Sequence, residues 1–152
     1  MNVRDVMATT VSCCGPQDDL ESIALLMMDN DCGSIPITND QGQPIGMITD
    51  RDIAIAAAAR HKALWQLAAE DFITGQPVST CSADDDIRAA LATMQRARVH
   101  RLAVVNGDGE VSGMLSMDDI VSRAERGVRG LGSPALSYDD AIMALKTVSK
   151  HH

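Results

Sequence analysis

Two four-residue motifs have residue types that could do chemistry. They share one spacing, a hydroxyl residue followed three positions later by an aspartate, at Thr49-x-x-Asp52 and at Ser116-x-x-Asp119. An ionised aspartate offers only hydrogen-bond acceptors, so it suits the paired hydroxyls of a ribose. A hydroxyl side chain and the free amides at the amino end of a helix suit phosphate oxygens. The motifs therefore indicate a nucleotide as one interpretation.

The same spacing also has a purely structural explanation. In a capping box, the hydroxyl accepts from the amide three residues on, and the acid accepts from the amide of the hydroxyl residue. The spacing recurs at Ser82–Asp85 and Ser137–Asp140, where no strand pattern comes directly before it. The first two motifs differ in having a glycine three residues upstream, Gly46 and Gly113, which lets another group approach the strand closely. From the motifs alone, helix capping and nucleotide binding both stay open.

Both motifs belong to an internal repeat. Shifting the sequence by 67 positions aligns residues 11–53 with residues 78–120 without a gap. The opening segments, Val3–Met7 and Ala69–Ile73, align at an offset of 66. A copy of about sixty residues buries too little surface to be stable alone, so we expect the two copies to stack as one module with clefts between them.

The pattern within each copy predicts a strand, a helix, two strands and a second helix, so the expected fold class is α+β with pseudo-symmetric β-α-β-β-α repeats. Apolar residues at helical spacing predict a core-facing first helix in each copy: Leu20, Ile23, Ala24, Met27 and Met28, then Ile87, Ala90, Leu91 and Met94. We expect a first repeat with a linker helix at residues 1–67 and a second repeat at residues 68–126. A Gly-rich linker and a C-terminal helix follow at residues 127–152.

Composition and charge exclude several classes of protein. The 152 residues are 45% hydrophobic, which favours a folded chain, while the longest apolar run, Ile53–Ala59, is far shorter than the roughly 20 residues of a membrane span. A net charge of −8 makes nucleic acid a poor partner. Asp5 and the lack of an apolar stretch behind it argue against a secretory signal, so we expect a cytoplasmic protein.

Catalytic and metal sites are not expected. The sequence has no G-x-S-x-G motif and no phosphate-binding Walker loop, and its histidines are His61, His100 and the two terminal residues. The four cysteines include no C-x-x-C pair, so we interpret them as packing residues or free thiols. The chain alone is therefore predicted not to be an enzyme.

The repeat, the order of its elements and one motif together resemble the CBS domain family. In that family G-h-x-[ST]-x-x-D closes each copy, and two copies pair as a Bateman module. The motif reads GMITDRD at Gly46–Asp52 and GMLSMDD at Gly113–Asp119. The resemblance covers residues 1 to about 126, and Val3–Met7 is similar to the family's opening segment. It implies a regulatory module that holds AMP, ADP, ATP, S-adenosylmethionine or NAD in clefts between the copies, with no obligatory cofactor.

The resemblance also implies roles for single residues. Asp52 and Asp119 would bind ribose hydroxyls, and Thr49 and Ser116 would lie near phosphate. Arg51 has two open interpretations, since it could reach a phosphate or pair with a neighbouring acid. The few aromatic residues lie outside the motifs, so an adenine is expected among aliphatic walls: Val11, Ile35, Ile37, Val78 and Val104.

The copies differ at one family segment. His100 and Arg101 begin a match to the family's h-R-h-P-V, with Ala103 in place of proline, so the resemblance makes both residues phosphate candidates. Without the family, the basic residues here would be interpreted as a solvated helix end. The first copy has Gly33-Ser34 at the equivalent place, so we predict unequal occupancy of the two clefts.

A regulatory module of this kind acts on a second copy of itself or on a partner protein. We expect a homodimer, and a regulated partner protein whose identity the sequence does not give. Ligand binding would shift the packing of the copies and so change a dimer or partner surface. The alternative is a protein-interaction or dimerisation module that binds no nucleotide.

Overall fold

The structure, a computed structural model, describes residues 1–73, 75, 77–127 and 132–150. These residues form an α+β fold with five α-helices and two small sheets, as predicted. The first copy contributes α1 (Leu20–Asp29), β1 (Ser34–Thr38), β2 (Pro44–Thr49) and α2 (Asp50–Arg60). The second contributes β3 (Thr80–Ser82), α3 (Ile87–Ala97), β4 (Arg101–Val105), β5 (Val111–Ser116) and α4 (Met117–Arg123), and α5 (Tyr138–Val148) follows. Short 3-10 helices cover Val3–Asp5, Leu64–Gln66 and Ala69–Phe72. Of the predicted Gly-rich linker, residues 128–131 lie outside the described residues.

The first strand of the repeat is formed to different extents in the two copies. In the second copy β3 pairs in parallel with β4, and β5 completes a sheet of order β3-β4-β5. In the first copy β1 and β2 pair antiparallel. The strand predicted before α1 is reduced to a single bridge between Cys14 and Ile37. Two backbone hydrogen bonds hold that bridge, from the Cys14 amide to Pro36 and from the Thr38 amide to Cys14.

The predicted helix faces are largely confirmed. α1 buries Leu20, Ile23 and Met27, and α3 buries all four of its predicted positions. The prediction for Met28 was wrong, because this side chain is 69% exposed. Met28 lies about 80° around the helix from Leu20, which puts it at the edge of the apolar stripe rather than within it.

The chain divides into two compact units that do not follow the order of the repeats. One unit holds residues 1–10 with the second copy from residue 79 onward and α5, and the other holds residues 11–78 with residues 109–111. Each unit has its own apolar core. Each copy's opening segment therefore packs in the unit that contains the other copy's sheet and helices. The division at residues 67 and 126 remains a prediction about sequence repeats.

α5 belongs to the core of the unit that contains the second copy. It begins after Ser137, which caps it, and it packs against both α3 and α4. Its buried residues are Ala141, Ala144 and Val148, and Leu136 just before it is 1% exposed. Among the residues that the structure describes, no helix is both long and apolar enough to span a membrane.

Candidate functional site

The two hydroxyl–aspartate motifs form capping boxes. The Asp52 amide donates to Thr49 Oγ1 at 3.1 Å, and the Thr49 amide donates to Asp52 Oδ2 at 2.9 Å. The corresponding distances between Ser116 and Asp119 are 3.1 and 2.9 Å, and the Ser116 hydroxyl also donates to Asp119 Oδ2 at 2.6 Å. The structural interpretation of the spacing is therefore correct at both motifs, whatever else these residues do.

Capping leaves one oxygen of each carboxylate available. In the described part of the chain, Asp52 and Asp119 accept their side-chain hydrogen bonds through Oδ2, and no bond reaches Oδ1. Both residues are half-buried. A ribose hydroxyl can therefore donate to Oδ1 without breaking either capping box.

A third capping box shows that the geometry is not specific to these motifs. Ser137 and Asp140 repeat the distances of 3.1 and 2.9 Å at the start of α5. Asp140 also accepts from Arg88 at 3.1 Å. The hydrogen bonds from Ser137, and after them this ion pair, hold the pKa of Asp140 below its ordinary value. Asp140 is thus a matched control for Asp119.

The two upstream glycines are explained by the protein's own packing. A Cβ at Gly113 would lie 2.8 Å from the carbonyl oxygen of Ala8, whose backbone pairs with Met114 in both directions. A Cβ at Gly46 would lie 3.2 Å from Ile73 and 3.3 Å from Ile37. The groups that approach are Ala8 and Ile73 of the opening segments and Ile37 of β1, so packing within the protein accounts for both glycines.

The same backbone hydrogen bond fixes the start of the last helix in both copies. The Asp50 amide donates to the Gly33 carbonyl at 3.0 Å, and the Met117 amide donates to the His100 carbonyl at 2.9 Å. This bond brings His100, and Arg101 after it, to the amino end of α4. Both side chains are half-buried, and within the described residues no ion pair engages the Arg101 guanidinium.

The first copy places an acid where the second copy is basic. A Cβ at Gly33 would lie 3.1 Å from Asp50 Oδ2, so the Asp50 carboxylate fills the place beside this glycine. The sequence interpretation gave Asp50 no role of its own. Arg51 is exposed, and among the described residues its guanidinium forms no ion pair, so the pairing with Asp50 is not formed.

The predicted adenine walls are not equally accessible. Ile35, Ile37 and Val104 have no exposed surface because they belong to the two cores. Val11 and Val78 are half-buried and keep surface that a ligand can contact. These five were predicted because no aromatic residue in the motifs could clamp an adenine, and burial in the cores separates three of them from the other two.

Neither a metal-binding cluster nor a reactive buried thiol occurs among the described residues. In the part of the chain that the structure describes, no cluster of His, Cys, Asp and Glu can hold a metal ion. Burial raises the pKa of Cys14 to about 12 and that of Cys81 to about 11, with Asp18 and Asp85 adding to the effect. Both thiols are therefore neutral packing groups at physiological pH.

Comparison with known protein families gives one clear match. A model described as the CBS domain matches residues 3–59 and again residues 69–126. The uncharacterized protein MK0525 of Methanopyrus kandleri is 31% identical over 121 residues, which are 80% of this chain and 61% of that protein. The 5'-AMP-activated protein kinase subunit gamma of Kluyveromyces lactis is 26% identical over 77% of this chain and 38% of that subunit. The chain thus spans less than two thirds of these relatives.

Two solved structures extend the comparison to the fold. Hypoxic Response Protein I, solved with two coordinated zinc ions, has a TM-score of 0.72 and 27% identity, covering 82% of this chain and all of that one. The CBS domain pair of protein MJ0100, solved with 5'-methylthioadenosine and S-adenosyl-L-methionine, has a TM-score of 0.69 and 21% identity. It covers 80% of this chain and 98% of that chain.

Proposed function

Because the chain belongs to the CBS domain family, with one copy at residues 3–59 and another at residues 69–126, we propose that it is a regulatory module. It binds an adenosine-bearing small molecule and passes that signal to a second copy or to a separate protein. The module has a sensing role and no catalytic one. The ligand class comprises AMP, ADP, ATP, S-adenosylmethionine and NAD, which share a ribose and differ in the charge attached to it.

One observation carries the proposal. Asp119 keeps Oδ1 free for a hydrogen bond while Oδ2 caps α4, and the backbone bond from Met117 to His100 brings Arg101 to the same helix end. In this assignment Asp119 accepts from ribose hydroxyls, and Arg101 and His100 bind phosphate or carboxylate oxygens. The Ser116 hydroxyl is already engaged with Asp119, so its place near phosphate stays a prediction.

The second copy is the better site for a phosphate-bearing ligand. The first copy keeps a free Oδ1 on Asp52, but it has Gly33-Ser34 instead of His100-Arg101, and Asp50 adds negative charge beside Gly33. A phosphate there would meet the Asp50 carboxylate, and the basic residue at that helix start is the exposed Arg51. We therefore expect the first copy to bind a phosphate-bearing compound more weakly than the second.

The names of the relatives support an adenosine-bearing ligand without selecting one. The MJ0100 domain pair was solved with two such compounds, and the gamma subunit belongs to a kinase activated by AMP. Both proteins differ from this chain at most positions. The choice of ligand for this chain therefore has to come from binding measurements.

The test combines a ligand panel with two matched variants. A ligand at about 100 times its dissociation constant adds ~2.7 kcal/mol to the free energy of unfolding, so thermal shift with adenosine, AMP, ADP, ATP, S-adenosylmethionine and NAD identifies binders. Asp119→Ala and Asp140→Ala each remove the acid of a capping box and keep its N-cap hydroxyl, and Asp140→Ala also removes the ion pair with Arg88. Only Asp119→Ala also removes the ribose acceptor, so we expect it alone to weaken binding tenfold or more, by roughly 1.5–3 kcal/mol.

Calorimetry on both variants separates binding from stability. Equal losses of affinity in Asp119→Ala and Asp140→Ala would contradict the ribose role of Asp119. A panel that leaves the melting temperature unchanged throughout would favour a module for protein interaction alone. The specific observation behind that second function is that helix capping by itself accounts for the hydroxyl–aspartate spacing of both motifs.

A further inference from the structure

A cavity lies between α3 and α5, inside the unit that contains the second copy. Its volume is about 250 Å³, which is slightly below the roughly 300–1,000 Å³ of sites for drug-sized ligands. None of the residues assigned to the adenosine-bearing ligand lines it, and α5 follows the second matched copy, so the cavity depends on an element that the first copy does not have. Three residues of each helix line it: Arg88, Leu91 and Gln95 of α3, and Asp139, Asp140 and Met143 of α5.

The apolar part of the lining comes from Leu91 and Met143. Leu91 is 5% exposed because it belongs to the core that α5 completes, and Met143 is 60% exposed on α5 itself. A methionine side chain is flexible and fills irregular gaps, so Met143 can adjust to a hydrocarbon chain. Leu91 lies four residues before Gln95, and Met143 lies four residues after Asp139, so each helix places an apolar side chain next to a polar one.

The polar part of the lining has an excess of negative charge. Arg88 donates to Asp140 at 3.1 Å and to the Pro134 carbonyl at 3.2 Å, so its guanidinium is already engaged. Asp139 is exposed in the first turn of α5, and in the described part of the chain its carboxylate forms neither a hydrogen bond nor an ion pair. The half-buried Gln95 amide also has no hydrogen-bond partner among those residues. The cavity therefore offers a free carboxylate and a free amide beside an apolar surface.

We propose that this cavity binds a small organic cation, an ammonium or guanidinium group on a short alkyl chain. The cation pairs with Asp139 and donates to the side-chain oxygen of Gln95, since both groups accept hydrogen bonds. The alkyl chain contacts Leu91 and Met143, which removes their remaining exposed surface from water. An anion is not favoured, because Arg88 is engaged and the remaining charge of the lining is negative. An uncharged molecule fills the cavity without pairing Asp139.

The cavity exists only while α5 packs on α3, because each helix supplies half of its lining. A ligand that binds this folded arrangement and not the unfolded chain stabilises it by mass action. The cation therefore holds the C-terminal helix on the second copy independently of any nucleotide. Asp119, the candidate ribose acceptor, does not line the cavity, so a chain with Asp119→Ala is expected to bind the cation as wild type does. Failure of the nucleotide proposal is thus distinguishable from failure of this one.

The first experiment titrates the full chain with three probes of equal chain length: pentylamine, pentan-1-ol and pentanoate. NMR follows the methyl groups of isotopically labelled methionines, with Met143 in the cavity as the reporter. Met28 is the control for non-specific adsorption, because it is 69% exposed, lies on α1 and does not line the cavity. We expect pentylamine to shift the Met143 signal with saturation, pentan-1-ol to need a roughly fivefold higher concentration, and pentanoate to give no saturable shift. Equal shifts of Met143 and Met28, a Met143 response to pentylamine no stronger than to either other probe, or no saturable shift at all overturns the proposal.

The second experiment compares two exposed aspartates at equivalent helix positions. Asp139 lies two residues after the N-cap Ser137, and Asp118 lies two residues after the N-cap Ser116, so their asparagine variants lose the same interaction with a helix amino end. Only Asp139 lines the cavity. We expect Asp139→Asn to raise the dissociation constant of pentylamine roughly fivefold, as for loss of an exposed ion pair, and Asp118→Asn to leave it unchanged. The methyl signal of the buried Met94 verifies that both variants fold. Equal dissociation constants for the two variants overturn the proposal.

Discussion

The two copies of the repeat share the backbone hydrogen bond at the start of their last helix and differ in what their side chains do there. Asp50 bonds to Gly33 as Met117 bonds to His100, and each last helix starts with the same capping box. In the first copy Asp50 lies beside Gly33, and Ile55 on α2 is exposed. In the second copy His100 and Arg101 lie at the helix start, and α5 packs against α3 and α4. The difference teaches that the same backbone geometry can carry different side chains, and we expect those side chains to decide which copy binds a phosphate-bearing ligand.

The largest effect on stability is expected where α5 packs on the helices of the second copy. Leu136 precedes α5, is 1% exposed, and has no counterpart in the first copy. Leu136→Ala leaves a cavity, so we expect the free energy of unfolding to fall by about 2–5 kcal/mol in a urea titration. Hydrogen exchange should speed up in α3 and β4 more than in α1 and β1. Equal acceleration in both sets would mean that the two units unfold together.

The glycines give a smaller contrast with a geometric cause. A methyl group at Gly113 meets a backbone carbonyl at 2.8 Å, which cannot move aside, whereas a methyl group at Gly46 meets only side-chain atoms, of Ile73 and Ile37, at 3.2 and 3.3 Å. We expect Gly113→Ala to cost about 1–3 kcal/mol and Gly46→Ala less than about 1 kcal/mol. Chemical denaturation of the two variants measures both costs. A larger cost at Gly46 would contradict the packing of the opening segments.

The charge difference between the copies gives a contrast in binding. Arg101→Ser gives the second copy the residue that the first copy has at Ser34. We expect AMP to bind roughly tenfold more weakly and adenosine to bind as before, because a charge-assisted hydrogen bond to phosphate is worth about 1.5–3 kcal/mol. Arg123→Ser, an exposed arginine at the other end of α4, is the control and should change neither affinity. An equal loss for adenosine would place Arg101 away from the phosphate.

Sequence alone predicted those features that depend on neighbours along the chain. Helix starts at Thr49 and Ser116, the strands before them and the repeat itself follow from spacing and periodicity, which are local. The role of Gly113 did not follow, because Ala8, which approaches it, is remote in sequence. The sequence also could not predict that Oδ1 of Asp119 accepts no hydrogen bond, or that α5 packs against α3 and α4. Spacing gives the type of a side chain and its helix, but not which of its atoms remain unbonded.

The alkylation rates of the two buried thiols compare how well each copy excludes water. Cys14 and Cys81 occupy equivalent positions and are 4% and 7% exposed, and burial raises their pKa values from 9.0 to about 12 and about 11. A raised pKa keeps the unreactive neutral form, so thiolate-dependent alkylation should rise about tenfold per pH unit and still be climbing at about pH 10. Cys81 should react faster than Cys14, and the exposed Cys32 before either. Peptide mass spectrometry of the alkylated protein resolves all three. A rate for Cys14 or Cys81 that levels off near pH 9 would show that water reaches that thiol and that its copy is the more open one.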